Sequence, residues 1–388
     1  MNKRVYFLMI VAFVVGMVEL IIGGLLDLMA ADLNVSLGQV GFLITIFSLI
    51  FAVGAPILLI LTSSIERKRL TLISLVVFLL GNIVTFFSPT YTIVFIGRII
   101  SALSGSLLII LCLTIAPSIV HPKYRGRAIG IVSMGVSASI VLGIPVGLLL
   151  GNAFGWRAPF VLISVLTVFS IAGVFLLMER IDPKPSSPIK KQLATLKGRR
   201  IFFGQSITFL FIAGHTVLYA YLTPFVKMTM EVDGTWVSII YMIFGIAAVS
   251  GGGVGGTLSD KLGPERTIML TIVLFTLVIF SIPFTTFALP VFITILVIWG
   301  MLSWTLAPAT QSYLISLSPE TSDIQQSLNN SALHLGIAFG SLVGGLVIER
   351  SSIEQNATVG GFFALLSIGA ALVSMYRKQG SEAVRSKS

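Results

Sequence analysis

Residues 179–200 read ERIDPKPSSPIKKQLATLKGRR and form the longest polar stretch of this 388-residue chain. The stretch contains three prolines and seven lysines or arginines, a composition that indicates a solvated linker. On both sides of it, apolar runs of roughly 20 residues follow one another, which is the length that crosses a bilayer as a helix. The sequence therefore predicts an integral membrane protein that a polar linker divides into two halves.

The apolar runs form six spans before the linker and six after it. We predict spans at 5–27, 38–61, 70–88, 91–117, 127–151, 157–178, 201–224, 235–258, 267–288, 290–315, 325–348 and 358–376. The predicted parts are an N-terminal six-helix bundle at 1–178, a cytoplasmic basic linker at 179–200, a C-terminal six-helix bundle at 201–376 and a cytoplasmic tail at 377–388. The fold class is thus all-α integral membrane, with twelve transmembrane helices in two bundles related by pseudo-twofold symmetry.

Composition and charge placement exclude other classes. With 56% hydrophobic and 10% charged residues, the chain is not a soluble domain. If the N-terminus lies in the cytoplasm, 21 of the 25 lysines and arginines fall in cytoplasmic segments, while Arg157, Lys227 and Arg350 face outside. This asymmetry predicts a multi-pass protein with both termini in the cytoplasm. It explains the net charge of +10 without nucleic acid, and it predicts attraction to anionic membrane lipids.

One loop motif occurs twice, at equivalent places in the two halves. Residues 256–266 read GTLSDKLGPER and residues 59–69 read LILTSSIERKR. The first resembles the loop signature of the major facilitator superfamily, G-x-x-x-D-[RK]-x-G-x-[RK]-[RK]. The matching residues are Gly256, Asp260, Lys261, Gly263 and Arg266. In the other copy Ser63 replaces the acidic residue and Glu66 the glycine. The resemblance implies a secondary transporter with an inter-helix charge latch at 256–266.

Further stretches resemble the twelve-span drug:proton antiporter branch of that superfamily. Arg98 matches the buried arginine of its fourth span, and the motif of Gly143, Pro145 and Gly147 matches its fifth-span signature. Residues 18–27 read VELIIGGLLD and resemble its acidic first helix, with an aspartate where a proline is expected. The resemblance implies proton antiport and export, with the three fifth-span residues in the conformational change.

Within the branch, the chain most resembles bacterial purine base and nucleoside efflux pumps. This resemblance rests on residues 65–70 (IERKRL), on 113–117 (LTIAP) and above all on 299–314 (WGMLSWTLAPATQSYL). It implies export of purines from the cytoplasm across a bacterial plasma membrane.

Few ionisable groups lie inside the predicted spans, and each is a functional candidate because charge in hydrocarbon is costly. Glu19 is the only acid deep inside a span and Arg98 the only base. At about 1.5 Å per residue, both lie roughly 10–12 Å from the outer ends of their spans, so they can pair. We predict that Glu19 is the proton-coupling acid and Arg98 its modulator. The alternative is a static ion pair that fixes span 1 against span 4.

Two histidines are also embedded in predicted spans, His215 in span 7 and His334 in span 11. Imidazole accepts a proton near neutral pH, so both are further candidates for proton coupling. The alternatives are a buried histidine that is satisfied by hydrogen bonds and a histidine that hydrogen-bonds substrate.

Polar and aromatic side chains concentrate in the second half. Aromatic faces stack on flat rings, and amides offer paired donors and acceptors to ring edges, so this composition suits a heteroaromatic solute. The predicted substrate-binding residues are Tyr219, Trp299, Trp304, Gln311, Asn329, Asn330 and His334. The alternative is an interfacial belt of Trp and Tyr, with amides that tie helices together.

The sequence predicts a monomeric exporter of purine bases or nucleosides that uses the proton gradient and no cofactor. The alternatives are a multidrug or sugar exporter of the same fold and, in another class, a membrane sensor or enzyme. No phosphate-binding loop points to ATP. Three histidines and one cysteine, Cys112, are scattered over distant segments and predict no metal site.

Overall fold

The computed structural model describes residues 3–182 and 194–376. Twelve helices in these residues are long and apolar enough to cross a membrane, which confirms the predicted number of spans. Residues 183–193 of the predicted linker and the predicted tail at 377–388 lie outside the described residues.

The spans consist of the following helices. Spans 1 to 6 are Lys3–Leu33, Leu37–Leu61, Arg67–Phe86, Tyr91–Ser118, Arg125–Ala138 continued by Ile144–Phe154, and Ala158–Leu177. Spans 7 to 12 are Arg199–Tyr219 followed by Leu222–Met230, Gly234–Leu262, Pro264–Ser281, Leu289–Leu317, Ser322–Arg350 and Gln355–Met375. We call spans 1 to 6 the N-terminal half and spans 7 to 12 the C-terminal half.

The connections between spans alternate between two ends of the molecule. We call the end that holds Lys3 and the connections 61–67, 118–125 and 262–264 the basic end. The opposite end, with the connections 33–37, 154–158 and 350–355, is the far end.

Span 1 is longer than predicted because its two aspartates have partners. The predicted span stops at residue 27, whereas the helix continues to Leu33. Asp27 forms an ion pair with Lys227, and Asp32 accepts hydrogen bonds from Trp156 and Arg157 at the far end. Acidic residues with cationic partners at the membrane boundary do not force the helix to stop.

Two spans are interrupted at prolines. Span 7 turns at residues 220–221 and resumes as Leu222–Met230, with Pro224 in the first turn, where its missing N–H costs little. Span 5 contains a π-helical turn, Ser139–Gly143, directly before Pro145. A proline cannot donate to the preceding turn, and a wider turn is one way for a helix to accommodate it.

Each half has its own hydrophobic core, and the two cores exchange residues near the far end. Ile144 and Leu148 of span 5 pack in the core of the C-terminal half. Ala220 and Tyr221 of span 7 pack in the core of the N-terminal half. The halves therefore interlock on the far side of the molecule.

Span 8 approaches span 10 so closely that only glycine fits at two positions. A Cβ on Gly251 would overlap the Met301 carbonyl oxygen, and one on Gly255 would overlap that of Thr305. The Thr305 hydroxyl also donates to the Gly251 carbonyl at 3.1 Å. Backbone-to-backbone packing of this kind is typical of helices in membranes, where small residues allow close approach.

We expect Gly255→Ala to destabilise the protein by about 1–3 kcal/mol, because its Cβ meets a backbone atom that cannot move independently. Gly253→Ala is the matched control, since a Cβ there has no neighbour within 4 Å on the same helix. Thermal unfolding of both variants in detergent measures the difference. Equal melting temperatures would contradict the packing described here.

Candidate functional site

A carboxyl from one half and an imidazole from the other meet inside the molecule. Glu19 lies at the middle of the 31-residue first helix, and His334 lies in the middle of span 11. The His334 Nδ1 and the Glu19 Oε1 are 2.9 Å apart, and the two side chains are only 8% and 13% exposed. Neither atom has a well-oriented hydrogen-bond partner among the described residues, so the two groups are in contact without a directional hydrogen bond.

Arg98 lies beside this pair but does not form an ion pair with the Glu19 carboxyl. Its guanidinium donates to the Val18 carbonyl at 2.7 Å and to the Glu19 backbone carbonyl at 3.5 Å. It also lies 4.1 Å from the centre of the Phe47 ring. The expectation that Glu19 and Arg98 share one level holds, but the carboxyl turns toward span 11. Successive helical residues are about 100° apart, so the side of span 1 that faces span 4 need not carry the Glu19 side chain.

His215 belongs to a different cluster, formed by aromatic side chains within the C-terminal half. Its ring centre lies 4.8 Å from that of Tyr219 and 5.4 Å from that of Trp299, and Phe244 contacts all three rings. The His215 Nδ1 lies 3.2 Å from the Ser303 hydroxyl. The Trp299 Nε1 is buried without a hydrogen-bond partner among the described residues. We call these five residues the aromatic cluster.

The other predicted substrate-binding residues do not join the aromatic cluster. Asn329 donates to Gln205 and Thr208 at 3.1 and 2.7 Å, which ties span 11 to span 7. Gln311 and Asn330 are exposed, and Trp304 is half-buried against the core of the C-terminal half. Of these three residues, only Asn330 lies on the helix face of His334, one turn closer to the basic end.

Some residues at these sites were not predicted. Phe51 packs its ring 4.5 Å from the His334 imidazole, and Phe47 lies under Arg98. Nothing distinguishes these two from other phenylalanines in apolar spans. Gln205 could have been predicted, because an amide inside an apolar span is unusual. The criterion that selected Asn329 selects Gln205 as well.

The predicted fifth-span motif packs against the turn of span 1 that carries Glu19. A Cβ on Gly143 would lie 2.6 Å from the Met17 Cγ, and one on Gly147 would lie 2.5 Å from the Ile21 Cδ1. Pro145 between them is buried. Any sliding of span 5 along span 1 therefore acts directly beside the Glu19–His334 contact.

The predicted charge latch at 256–266 is not formed in this structure. Gly263 adopts a φ of +84°, a conformation that favours glycine, and it caps the N-terminus of span 9. Asp260, Lys261 and Arg266 are exposed, and within residues 3–182 and 194–376 they form no ion pair. A Cβ on Gly256 would meet nothing within 4 Å.

The polar contacts between the halves concentrate on the far side of the molecule. Asp27 of span 1 pairs with Lys227, and the Thr223 hydroxyl donates to the Gly23 carbonyl at 3.0 Å. Between spans 2 and 11, Ser341 donates to the Gly41 carbonyl at 2.9 Å. These contacts close the far end, and they include an aspartate that the family resemblance does not predict.

We expect Asp27→Asn to open the far end, because it removes the charge that holds Lys227 across the halves. Spin labels on Asn34 and Ser352, both exposed at the far end, report the opening as a longer distance by pulsed electron paramagnetic resonance. The labels require replacement of the native cysteine, Cys112→Ala.

Asp32→Asn is the matched control for this experiment. It removes the same charge at the same end, but its Arg157 partner lies in the same half. A longer label distance in Asp32→Asn than in Asp27→Asn would contradict the conclusion that the Asp27–Lys227 pair closes the far end.

A family model and several known proteins are similar to this chain. The family model described as Major Facilitator Superfamily matches residues 8–341. An uncharacterized MFS-type transporter of Bacillus subtilis strain 168 is 33% identical over 384 residues, 98% of each chain. A probable sugar efflux transporter of Mannheimia succiniciproducens is 26% identical over 95% of this chain and 93% of its own.

Among solved structures, the fold is similar to that of a bacterial homolog of the human lysosomal transporter Spinster. That crystal structure shows an inward-facing and occupied conformation. It superimposes with a TM-score of 0.81 at 15% identity, over 96% of both chains. At this identity the likeness concerns the fold, which has two six-helix bundles.

Proposed function

The chain belongs to the Major Facilitator Superfamily, a family of transporters, and on that premise we propose that it exports small solutes in exchange for protons. The observation that carries this proposal is the Glu19–His334 contact, in which an acid and a base from opposite halves meet in the middle of the spans.

Proton coupling follows from the chemistry of this pair. The attraction between the two side chains depends on a negative carboxylate and a positive imidazolium. A proton that moves onto the carboxylate removes this attraction, and the halves lose a contact in the middle of the membrane. The Arg98 guanidinium donates hydrogen bonds to the Val18 and Glu19 backbone carbonyls and so provides a second positive charge near Glu19. A proton taken up by Glu19 is thereby linked to the relative position of the two halves.

The direction of transport follows from orientation. The excess of lysine and arginine at the basic end supports its placement in the cytoplasm, with both termini inside and the far end outside. The described structure is closed on the far side, so the solute would enter from the cytoplasm. Protons that reach Glu19 from outside then drive export, and the proton gradient of a bacterial plasma membrane is the energy source.

We propose that the protein acts as a monomer and that its cargo is purine bases or nucleosides. The aromatic cluster supports this, because its Tyr219 and Trp299 rings could stack on a flat solute once the buried packing between them opens. The Trp299 Nε1, which has no hydrogen-bond partner among the described residues, could then donate to a ring nitrogen. Sugar export is the second candidate, because a relative over nearly the whole chain is called a probable sugar efflux transporter. Multidrug export by the same fold is the third.

Flux of radiolabelled adenine in proteoliposomes with an imposed pH gradient tests both parts of the proposal. We expect the wild type to accumulate adenine against its gradient. Glu19→Gln and His334→Gln should lose dependence on the pH gradient, because neither can form the charged pair. His121→Gln is the matched control, since this exposed histidine at the basic end belongs to neither site and should retain the pH dependence.

The coupling assignment and the cargo assignment are each contradicted by a different result. If Glu19→Gln keeps the full response to the pH gradient, Glu19 is not the coupling acid. If the wild type moves labelled arabinose but no adenine, the purine assignment is replaced by sugar export while the coupling assignment stands. If the gradient drives neither solute but drives a cationic dye, the multidrug assignment replaces both.

A further inference from the structure

Two arginines that are distant in the sequence line the same crevice at the basic end, away from the Glu19–His334 contact. They are Arg69 at the start of span 3 and Arg180 just after span 6. Both line a crevice of about 720 Å³, together with Ser64, Ile65, Glu66 and Ile73. Both are exposed, and neither guanidinium makes a hydrogen bond or ion pair to a described residue. The described lining of the crevice thus contains two guanidinium groups and one carboxyl group, that of Glu66.

The backbone after span 6 is fixed against the connection between spans 2 and 3. The Glu66 carboxylate accepts a hydrogen bond from the Ile181 backbone at 2.8 Å, and the Arg67 backbone donates to the Ile181 carbonyl at 2.9 Å. These bonds hold Arg180 close to Arg69. The first of these bonds is accepted by Glu66, the residue that replaces glycine in the 59–69 copy of the loop motif, so this departure from the signature has a structural role.

The one acid in the crevice does not cancel both arginines. Burial raises the pKa of the Glu66 carboxyl, but three backbone N–H donors and the nearby Arg180 charge outweigh it, so the pKa lies below its ordinary value of 4.5. Glu66 is therefore negative, and its oxygens are already occupied by the amides of Lys68, Arg69 and Ile181. One net positive charge remains in the crevice.

An apolar surface leads from the crevice along span 3. Ile73, Val76 and Leu80 follow Arg69 at intervals of four, three and four residues, which places them on one helix face. They are 45%, 44% and 53% exposed, and Ile73 also lines the crevice. A free anion gains no binding energy from an apolar surface. A lipid carries a charged headgroup next to apolar acyl chains, so it can bind the arginines and the apolar surface together.

We propose that this crevice binds an anionic phospholipid, with the phosphate between Arg69 and Arg180 and an acyl chain along Ile73, Val76 and Leu80. Guanidinium groups bind phosphate oxygens in pairs, and basic residues at a membrane surface attract anionic headgroups. Lys68 does not take part, because its ammonium donates to the Phe175 carbonyl at 2.8 Å. A bound lipid would hold the residues that follow span 6 against span 3.

Titration of the purified full chain with phosphatidylglycerol, followed by native mass spectrometry, tests the site. Phosphatidylcholine with the same acyl chains is the reference lipid. We expect the wild type to retain phosphatidylglycerol preferentially, and Arg69→Gln with Arg180→Gln to weaken this binding about tenfold, as expected for lost charge-assisted hydrogen bonds. Ser64→Glu, which keeps both arginines but adds a negative charge to the crevice, should weaken it similarly.

The matched control is Arg125→Gln with Arg127→Gln, which removes two exposed arginines from the same end of the molecule. We expect this control to bind phosphatidylglycerol like the wild type. An equal loss in the control, unchanged binding in the Arg69 and Arg180 variant, or displacement of the lipid by an equal concentration of inorganic phosphate would overturn the proposal.

Discussion

A carboxyl in the middle of a membrane needs a polar partner nearby, and in this protein one comes from the other half of the molecule. Glu19 and His334 lie in the middle of long helices and are largely shielded from solvent. Their contact therefore joins the two bundles at the depth where water and lipid headgroups contribute least. In the proposed mechanism the strength of this contact depends on a proton, which links protonation to the arrangement of the halves.

The packing around the Glu19–His334 contact connects it to both halves of the molecule. Span 11 is held rigidly to span 7, since a Cβ on Gly336 would lie 2.7 Å from the Phe209 carbonyl oxygen and one on Gly340 2.5 Å from that of Ala213. His334 therefore moves with the whole C-terminal half. On the other side, the fifth-span glycines fit against the residues that flank Glu19. The far-end contacts, such as Asp27 with Lys227, then determine which side of the molecule is closed.

The sequence predicts the twelve spans because hydrophobic length is a one-dimensional property. It also predicts the common depth of Glu19 and Arg98, since depth is counted along a helix, and the Arg98 bond to the Val18 carbonyl agrees with it. It does not predict that the carboxyl faces His334, because the rotation of one helix relative to another is set by packing. For the same reason the sequence does not predict that the Gln311 and Asn330 side chains are exposed.

A departure from the family pattern says less about structure, in the sequence alone, than a match does. An aspartate in place of a proline and a glutamate in place of a glycine are only differences in the sequence. In the structure, Asp27 closes the far end by pairing with Lys227, and Glu66 fixes the backbone that follows span 6. Both roles depend on residues more than 100 positions away along the chain.

The central claim is that protonation of the Glu19–His334 pair controls the arrangement of the halves. The most direct measurement is the distance between spin labels on Asn34 and Ser352 as a function of pH, across about pH 5 to 9. Among the described residues, the charged side chain beside the pair is that of Arg98 from span 4. The account predicts that the far-end-open population of the wild type changes with pH and that Glu19→Gln and His334→Gln abolish this change, whereas His121→Gln retains it. An unchanged pH response in Glu19→Gln would contradict the account.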